Sequence, residues 1–360
     1  MGKPEDWQSG PGFSVIRNIV SCLLISICVH LCSSVVSASA QALPPRPGQP
    51  DPKAQAAESP LKPFEWLIDG TWYTEGEYPG LGKSRGMRTY RYTLGGRFIE
   101  MQQEVLIQPP GGGAQRMAVT AILGRNPGTR RLQQWGFARD GSISTAEWDV
   151  VAPPAMRFEG RVVNSSPWRL RGILSRDAAD EFVETLEVYN DGGWRPHSES
   201  RFARKGVPPP PDGIGAAGPT EDLKLLAPLV GTWGQTLDVT LTFRWALNYS
   251  FLRSEYVVRR AGDLIPKVRV ISMTGFDAQQ KRVAQYGFNE DGSVFSASVT
   301  AAGDALVFEG DMVGDGRRKL RVTYRCSDAD TLVTTTETLV EGAWQKLGET
   351  TMKRRKPALN

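Results

Sequence analysis

The segment Gly70-Thr71-Trp72 and its second copy, Gly231-Thr232-Trp233, decide the fold of this chain. The anchors that follow them recur in the same order and at nearly the same spacing: Trp135-Gly136-Phe137 as Tyr286-Gly287-Phe288, Phe158-Glu159-Gly160 as Phe308-Glu309-Gly310, and Gly193-Trp194 as Ala343-Trp344. Such internal similarity indicates one structural module used twice. We therefore expect that a residue required by both copies occurs in both.

Composition divides the 360 residues into five segments. We predict a signal peptide at 1–42, a disordered spacer rich in Pro, Ala and Gln at 43–60, a first β-barrel domain at 61–205, a Pro/Gly-rich linker at 206–222 and a second β-barrel domain at 223–356. Each repeat has the length of an ordinary domain with its own core. The net charge of +4 is too small to indicate nucleic-acid binding.

The N-terminal segment has the pattern of a secretory signal. An apolar run at 19–36 is followed by small residues at 37–42, which predicts cleavage after Ala40 or Ala42. The alternative is an uncleaved membrane anchor, because the run is near the lower limit for crossing a bilayer. We expect an exported protein, periplasmic or extracellular, without a stable membrane span once the signal is cleaved. The mature chain then keeps a single cysteine, Cys326, which excludes an intramolecular disulfide.

The pattern within each copy is that of β-strands. Polar and apolar residues alternate at 88–94, 118–123, 240–245, 267–272 and 331–339, and Asp-Gly pairs such as Asp140-Gly141 and Asp291-Gly292 separate such runs. This predicts half-buried antiparallel strands joined by hairpins. We expect about eight to ten strands per copy, in an up-and-down barrel or a sandwich. The predicted fold class is all-β: two tandem antiparallel up-and-down β-barrels, each with a short N-terminal helix, at 63–68 and 222–229.

The Gly-x-Trp motif has a physical meaning in a closed barrel. Glycine lets the chain turn sharply out of the helix, and the Trp side chain closes one end of the barrel. A basic residue of the last strand can place its guanidinium over the indole, a cation–π contact of about 0.5–2 kcal/mol. The predicted barrel-closing residues are Trp72 with Arg201 or Arg204, and Trp233 with Arg354 or Arg355.

These features resemble the calycins, which include lipocalins, fatty-acid-binding proteins and their bacterial relatives. More closely, each copy is similar to the calycin-like barrel domains of unknown function in secreted bacterial proteins. The resemblance covers nearly all of both copies and rests on Gly70-Thr71-Trp72, the turn and strand at 94–100, the strand and hairpin at 135–142 and the final strand at 194–204. Most members of that group have no assigned activity, so the resemblance implies a fold rather than a function.

Copy one also resembles nitrobindin, a barrel that binds haem through a histidine near the end of its chain. The resemblance implies that His197, the only histidine of the mature chain, is a haem ligand in domain 1. Lys346 occupies the matching position in copy two. Haem binding is therefore an alternative function. Otherwise no cofactor and no metal are predicted, because one histidine without a cysteine cluster does not make a typical zinc site.

The leading functional hypothesis is non-enzymatic binding of a small apolar or amphipathic ligand inside a barrel. Barrels of this size either fill with side chains or keep a cavity, so a packed core is the alternative role for the aromatic residues. The candidate pocket residues are Tyr92, Trp135, Phe137, Trp148, Phe158 and Trp194 in copy one, and Phe243, Tyr286, Phe288, Phe295, Phe308 and Trp344 in copy two.

Catalysis is a weaker hypothesis, and the enzyme question stays open with non-enzymatic binding favoured. Carboxylates recur on matching strands, as Glu159 with Glu309, Glu199 with Glu349, and Glu184 and Glu187 with Glu337. Buried acids with pKa values held apart can perform acid–base chemistry, but cross-strand pairing with arginine is the alternative. The remaining hypothesis is an interaction module, in which filled barrels present a surface to an envelope protein.

Overall fold

The computed structural model describes residues 59–78, 82–152, 154–164, 167–210, 218–236, 238–260 and 263–355. Within them the chain forms two closed antiparallel barrels of ten strands each, arranged in tandem, so the predicted fold class is confirmed. The predicted signal peptide, nearly all of the spacer and residues 211–217 of the predicted linker lie outside the described residues.

The first barrel is preceded by a short 3-10 helix, Lys62–Leu67. Its strands are β1 (Thr71–Tyr78), β2 (Gly82–Thr93), β3 (Phe98–Gln108), β4 (Gln115–Arg125), β5 (Leu132–Ala138), β6 (Ile143–Ala152), β7 (Ala155–Val163), β8 (Trp168–Ala178), β9 (Glu181–Asn190) and β10 (Gly193–Ala203). A one-turn 3-10 helix, Leu94–Gly96, joins β2 to β3. Each strand pairs with the next along the chain, and β1 pairs with β10 to close the barrel.

The second barrel repeats this order. It begins with a 3-10 helix, Glu221–Leu229, which starts inside the segment predicted as linker. Its strands are β11 (Gly231–Thr236), β12 (Val239–Ala246), β13 (Phe251–Val258), β14 (Lys267–Asp277), β15 (Arg282–Asn289), β16 (Val294–Ala302), β17 (Ala305–Val313), β18 (Arg317–Asp328), β19 (Thr331–Val340) and β20 (Ala343–Arg355). Pairing of β11 with β20 closes it.

One end of the first barrel is closed by Trp72, which is fully buried. Its indole Nε1 donates to the carbonyl of Leu67 at 2.9 Å, which anchors the helix end to the barrel. The Arg204 guanidinium carbon lies 3.8 Å from the centre of the indole ring, and Nη2 donates to the carbonyl of Ile68 at 3.0 Å. Arg201 points outward to Asp177 and Glu181, because successive side chains of a strand face opposite sides.

The second barrel closes in the same way. Trp233 donates to the carbonyl of Leu229 at 2.8 Å. The Arg354 guanidinium carbon lies 4.0 Å from the centre of that indole, and its Nη1 donates to the carbonyl of Val230 at 2.6 Å. Arg355, the neighbouring candidate, instead donates to the carbonyl of Thr236 at the edge of β11.

The two barrels pack against each other through a shared apolar cluster. The ring centroids of Phe98 and Phe288 lie 5.6 Å apart, and those of Phe251 and Phe137 lie 5.4 Å apart. Phe98 and Phe251 open equivalent strands, and Phe137 and Phe288 end the repeated aromatic-Gly-Phe motif. The contacts are therefore reciprocal, as in the interface of a two-fold symmetric dimer. The tandem chain forms such an interface within one molecule.

A buried ion pair lies within this interface. Arg253 Nη1 and Glu100 Oε1 are 2.6 Å apart, and both side chains are almost completely buried. Arg91 also donates to Glu100, at 2.8 Å. Burial alone would raise the pKa of the Glu100 carboxyl, but the hydrogen bonds and charges of Arg253 and Arg91 outweigh it and bring the pKa to about 2. The carboxylate therefore stays ionised at neutral pH and holds the barrels together.

We expect Glu100→Gln to destabilise the protein by about 3 kcal/mol, because it removes the buried charge that Arg253 and Arg91 share, and Arg253 keeps only its contact with Glu255 at 2.8 Å. The depressed pKa gives the sign of the pH dependence. The stabilisation is complete above the ordinary pKa of 4.5 and disappears as pH falls towards about 2, a loss of about 3 kcal/mol. Urea unfolding at several pH values measures both effects.

Glu75→Gln is the matched control, because Glu75 pairs with Arg85 on the exposed surface. Exposed pairs contribute about 0–1 kcal/mol. Equal destabilisation by the two variants, or a Glu100→Gln variant that keeps the acid sensitivity of the parent protein, would contradict the assigned role of the ion pair.

Candidate functional site

A cavity of about 160 Å³ lies inside the second barrel. Inward-facing residues of β12 to β20 line it, and most of the lining is apolar. The residues at its wall are Leu241, Ser254, Tyr256, Val270, Ser272, Gln285, Gly287, Asn289, Phe295, Met312, Leu320, Val322, Tyr324, Thr334, Thr336, Gly348, Thr350 and Met352.

The floor of the cavity is aromatic. Tyr324 lies edge-on to Phe243, with ring centroids 5.6 Å apart, and edge-on to Phe308 at 5.1 Å. Below this layer Trp233 and the helix Glu221–Leu229 close the barrel. Edge-to-face aromatic contacts fix ring orientation, so the floor is rigid.

Hydroxyl and amide groups interrupt the apolar wall on two sides. On β13 to β15, Ser254 Oγ and Ser272 Oγ are 2.7 Å apart, and Gln285 Nε2 donates to Ser272 Oγ at 3.1 Å. On β19, Thr334 Oγ1 is buried without a hydrogen-bond partner. An unsatisfied buried hydroxyl costs about 1–3 kcal/mol. A ligand that forms a hydrogen bond with Thr334 would recover part of that cost.

The interior of the first barrel contains an ion pair at the corresponding depth. Arg88 Nη2 lies 2.7 Å from Glu184 Oε2, with side-chain exposures of 5% and 11%. Arg88 Nε donates to Gln103 Oε1 at 3.0 Å, and Nη1 donates to the Tyr90 hydroxyl at 3.1 Å. The guanidinium carbon also lies 4.4 Å from the centre of the Phe202 ring. The pair therefore fills the middle of this barrel with its donors engaged.

Arg88 and Tyr90 both have a shifted pKa in this network. Burial alone would lower the pKa of the Arg88 guanidinium, but the charge and hydrogen bonds of Glu184 and Tyr90 raise it above its usual value. Burial raises the pKa of the Tyr90 hydroxyl. The interior of the first barrel is thus occupied by a charged arginine and a neutral tyrosine.

Strand register identifies the positions in the second barrel that match the ion pair. Arg88 pairs with Trp72 across β1 and β2, and Leu241 pairs with Trp233 across β11 and β12. Because the two Trp residues are equivalent, Leu241 stands where Arg88 stands in the first barrel.

The position in the second barrel that matches Glu184 follows from the pairing of the last two strands of each barrel. Glu184 pairs with Ser200 in β9 and β10, and Thr334 pairs with Thr350 in β19 and β20. Thr334 therefore replaces Glu184. The second barrel has neither charged side chain at these positions, and both Leu241 and Thr334 line its cavity.

The predicted pocket residues separate into three groups. Five of them lie in the barrel interiors: Trp148 and Phe158 in the first and Phe243, Phe295 and Phe308 in the second. Of these five, Phe295 lies at the cavity wall. Between the barrels lie Trp135, Phe137, Tyr286 and Phe288. Trp194 and Trp344 lie on outer faces, and Tyr92 lies near the end of β2 with 39% of its surface exposed.

Trp194 and Trp344 each pack against an arginine in a row of cross-strand contacts that both barrels contain. Arg171 lies 4.5 Å from the centre of the Trp194 ring, and Arg321 lies 4.0 Å from that of Trp344. Glu159 pairs with Arg169 at 2.5 Å, and its counterpart Glu309 pairs with Arg321 at 2.9 Å. The repeated acids therefore form cross-strand ion pairs on the surface.

The other predicted acids lie on similar faces. Glu187 pairs with Arg171 and Glu337 with Arg321, and Glu349 accepts from Lys346 at 2.9 Å. Glu199 is exposed. Glu184 differs from the group because it faces inward, and its counterpart is Thr334 rather than an acid. This arrangement gives no pair of acids that a substrate would meet inside a barrel.

His197 is exposed, at a β-bulge in β10 next to Pro196. Its ring centroid lies 6.4 Å from that of Trp168. Haem binding through His197, which is exposed among the described residues, stays a prediction. Those residues also contain no cluster of three or more His, Cys, Asp or Glu side chains able to hold a metal ion. In the same part of the chain, no helix is long and apolar enough to cross a membrane.

Sequence reasoning identified Glu184 as a recurring acid but missed the other residues that distinguish the two interiors, namely Arg88, Leu241 and Thr334. A signal was present: Arg88 and Glu184 lie in alternating segments, and their apolar neighbours Tyr90 and Phe182 share the inward face. An arginine and an acid on inward positions of two strands cost free energy unless they pair with each other. Copy two lacks both residues, which predicts a different interior.

No family model matches this chain, and no curated protein matches it. Among solved structures it is similar to a protein of unknown function from the DUF3598 family of Nostoc punctiforme, at 13% sequence identity and a TM-score of 0.16. That match covers 82% of this chain and 99% of the other.

Proposed function

We propose that the second barrel binds a compact amphipathic molecule, without catalysis, in the cavity beneath Leu241 and Thr334. The observation that carries the proposal is an apolar cavity that replaces a buried ion pair and leaves the Thr334 hydroxyl without a partner. The cavity combines apolar walls with a few convergent polar groups, as small-molecule sites do.

Size limits the ligand. The cavity of about 160 Å³ is close to the roughly 150 Å³ of an engineered apolar cavity that binds benzene. It is well below the range of about 300–1,000 Å³ for drug-sized ligands. We therefore expect a single ring or a short branched chain, and neither a long fatty acid nor haem.

Polar groups would orient this ligand. Burial of apolar ligand surface contributes roughly 25 cal/mol per Å², and hydrogen bonds to Thr334 on one wall or to Gln285 on the other would fix the direction of a polar substituent. A phenol-like molecule has both properties, with a ring against the aromatic floor and a hydroxyl near Thr334.

Phenol titrated into the mature protein should bind with measurable heat, and Thr334→Leu should weaken that binding about tenfold, which corresponds to about 1.4 kcal/mol. The leucine side chain occupies part of the cavity and removes the hydroxyl. Thr335→Leu is the matched control, because the adjacent side chain is half-buried on the outer face, where its hydroxyl donates to Glu349. Isothermal titration calorimetry of the parent protein and the two variants measures these phenol affinities.

Comparison with benzene tests the polar part. Phenol should bind more tightly than benzene to the parent protein, and the difference should vanish in Thr334→Leu. An absence of binding for both molecules would contradict the proposal and favour filled barrels that act as an interaction surface. Equal loss in Thr334→Leu and Thr335→Leu would place the ligand elsewhere.

We also propose that the protein works after export. The support is the sequence at 1–42, with its apolar run and small residues before Gln41 and Leu43. The mature chain isolated from its own cell should have the intact mass of a protein that begins at Gln41 or Leu43. A protein that retains Met1 or residues of the apolar run would contradict cleavage and support a membrane anchor.

A further inference from the structure

A groove of about 570 Å³ opens at the mouth of the first barrel, away from the end closed by Trp72. Val119, Ser144 and Val162 lie in its base. Asn248, from the turn that precedes β13, contributes to its wall, so both barrels build it. This groove is separate from the cavity of the proposed function, which lies wholly within the second barrel.

The groove is open because its base is made of small side chains. Ser144 pairs with Gly136 and with Val162, and at the matching register Phe295 pairs with Gly287 and with Met312. The second barrel thus has Phe295 and Met312 where the first has Ser144 and Val162. Larger side chains occupy the corresponding mouth, and the space of the second barrel lies deeper. The two barrels keep their free volume at different depths.

The segment of the second barrel that contributes to the groove wall has an unusual backbone. Leu247, Asn248 and Tyr249 have φ angles of 51°, 56° and 68°, three successive residues in the left-handed region. The matching turn of the first barrel uses Leu94, Gly95 and Gly96. Glycine adopts this conformation freely, whereas a residue such as tyrosine loses roughly 1–2 kcal/mol. Strained backbone of this kind concentrates at ligand-binding segments.

The chemistry of the wall selects the ligand class. Trp168 has 37% of its surface exposed and presents an indole to the groove. Arg139 and Asp140 also line it, together with Arg116, which is paired with Glu104 at 2.9 Å. Asp140 Oδ1 accepts hydrogen bonds from the backbone N–H of Ser142 at 2.9 Å and from its hydroxyl at 2.7 Å. The lining therefore combines an aromatic and apolar surface with the guanidinium of Arg139.

We propose that this groove binds a flat aromatic molecule with an acidic substituent, larger than the ligand of the second barrel. Its volume lies within the usual range for small-molecule sites of about 300–1,000 Å³. The rings stack on Trp168 over the base of Val119 and Val162, and the anion lies towards Arg139. Because Asn248 belongs to the second barrel, the site is complete only when the barrels are docked.

Fluorescence titration with 8-anilinonaphthalene-1-sulfonate tests this site, since the dye is a polycyclic aromatic sulfonate, larger than the benzene-sized molecule that the deep cavity can hold. The parent protein should bind one equivalent. The double variant S144F/V162M, which introduces the residues of the second barrel, should weaken binding about tenfold. Trp168→Ala and Arg139→Glu should each weaken it about fivefold, and the exposed position of Trp168 keeps that variant folded.

Thr334→Leu is the control and should leave the dye titration unchanged, because it alters only the cavity of the second barrel. The phenol titration of S144F/V162M should likewise match that of the parent protein, which separates the two sites. Dye binding that survives both S144F/V162M and Trp168→Ala overturns the site. Dye binding that is unaffected by Arg139→Glu overturns the assignment of an anionic ligand.

Discussion

The interior of a closed ten-stranded barrel must either be filled by its own side chains or remain partly empty, and the two copies meet this constraint differently. The first barrel places Arg88 and Glu184 at its centre, where each charge is buried only because the other is present. The second barrel has Leu241 and Thr334 there and keeps a cavity. A loss of one charge alone would leave the other buried and unpaired, so the two positions must change together.

The interface shows a second consequence of duplication. Phe98, Phe137, Phe251 and Phe288 repeat their contacts about a pseudo-two-fold axis. Glu100 and Arg253 occupy equivalent positions, each the third residue of its strand, and they face each other. In a dimer of identical chains these positions would carry the same residue and like charges would meet. One chain with two diverged copies can place opposite charges there, which gives the tandem arrangement an interface unavailable to a homodimer.

Much of the fold could be predicted from the sequence, because its signals are local. The repeated Gly-Thr-Trp, the Asp-Gly hairpins and the alternation of polar and apolar residues each act over a few positions. The interior could not be predicted in the same way, since Arg88 and Glu184 are 96 residues apart and meet only through the strand register. Alternation also cannot distinguish the interior from a second buried face. Trp135 and Phe137 face the other barrel, although the sequence makes them equally good candidates for a pocket.

Diffraction from crystals of the mature protein under xenon pressure shows whether the second barrel is hollow while the first is filled. Xenon enters dry apolar cavities of this size. We expect a xenon atom inside the second barrel, between Leu241, Tyr324 and Thr334, and none beside Arg88 in the first. Xenon at Arg88, or a second barrel whose interior admits no xenon and no other small apolar molecule, would rule out this difference between the two interiors.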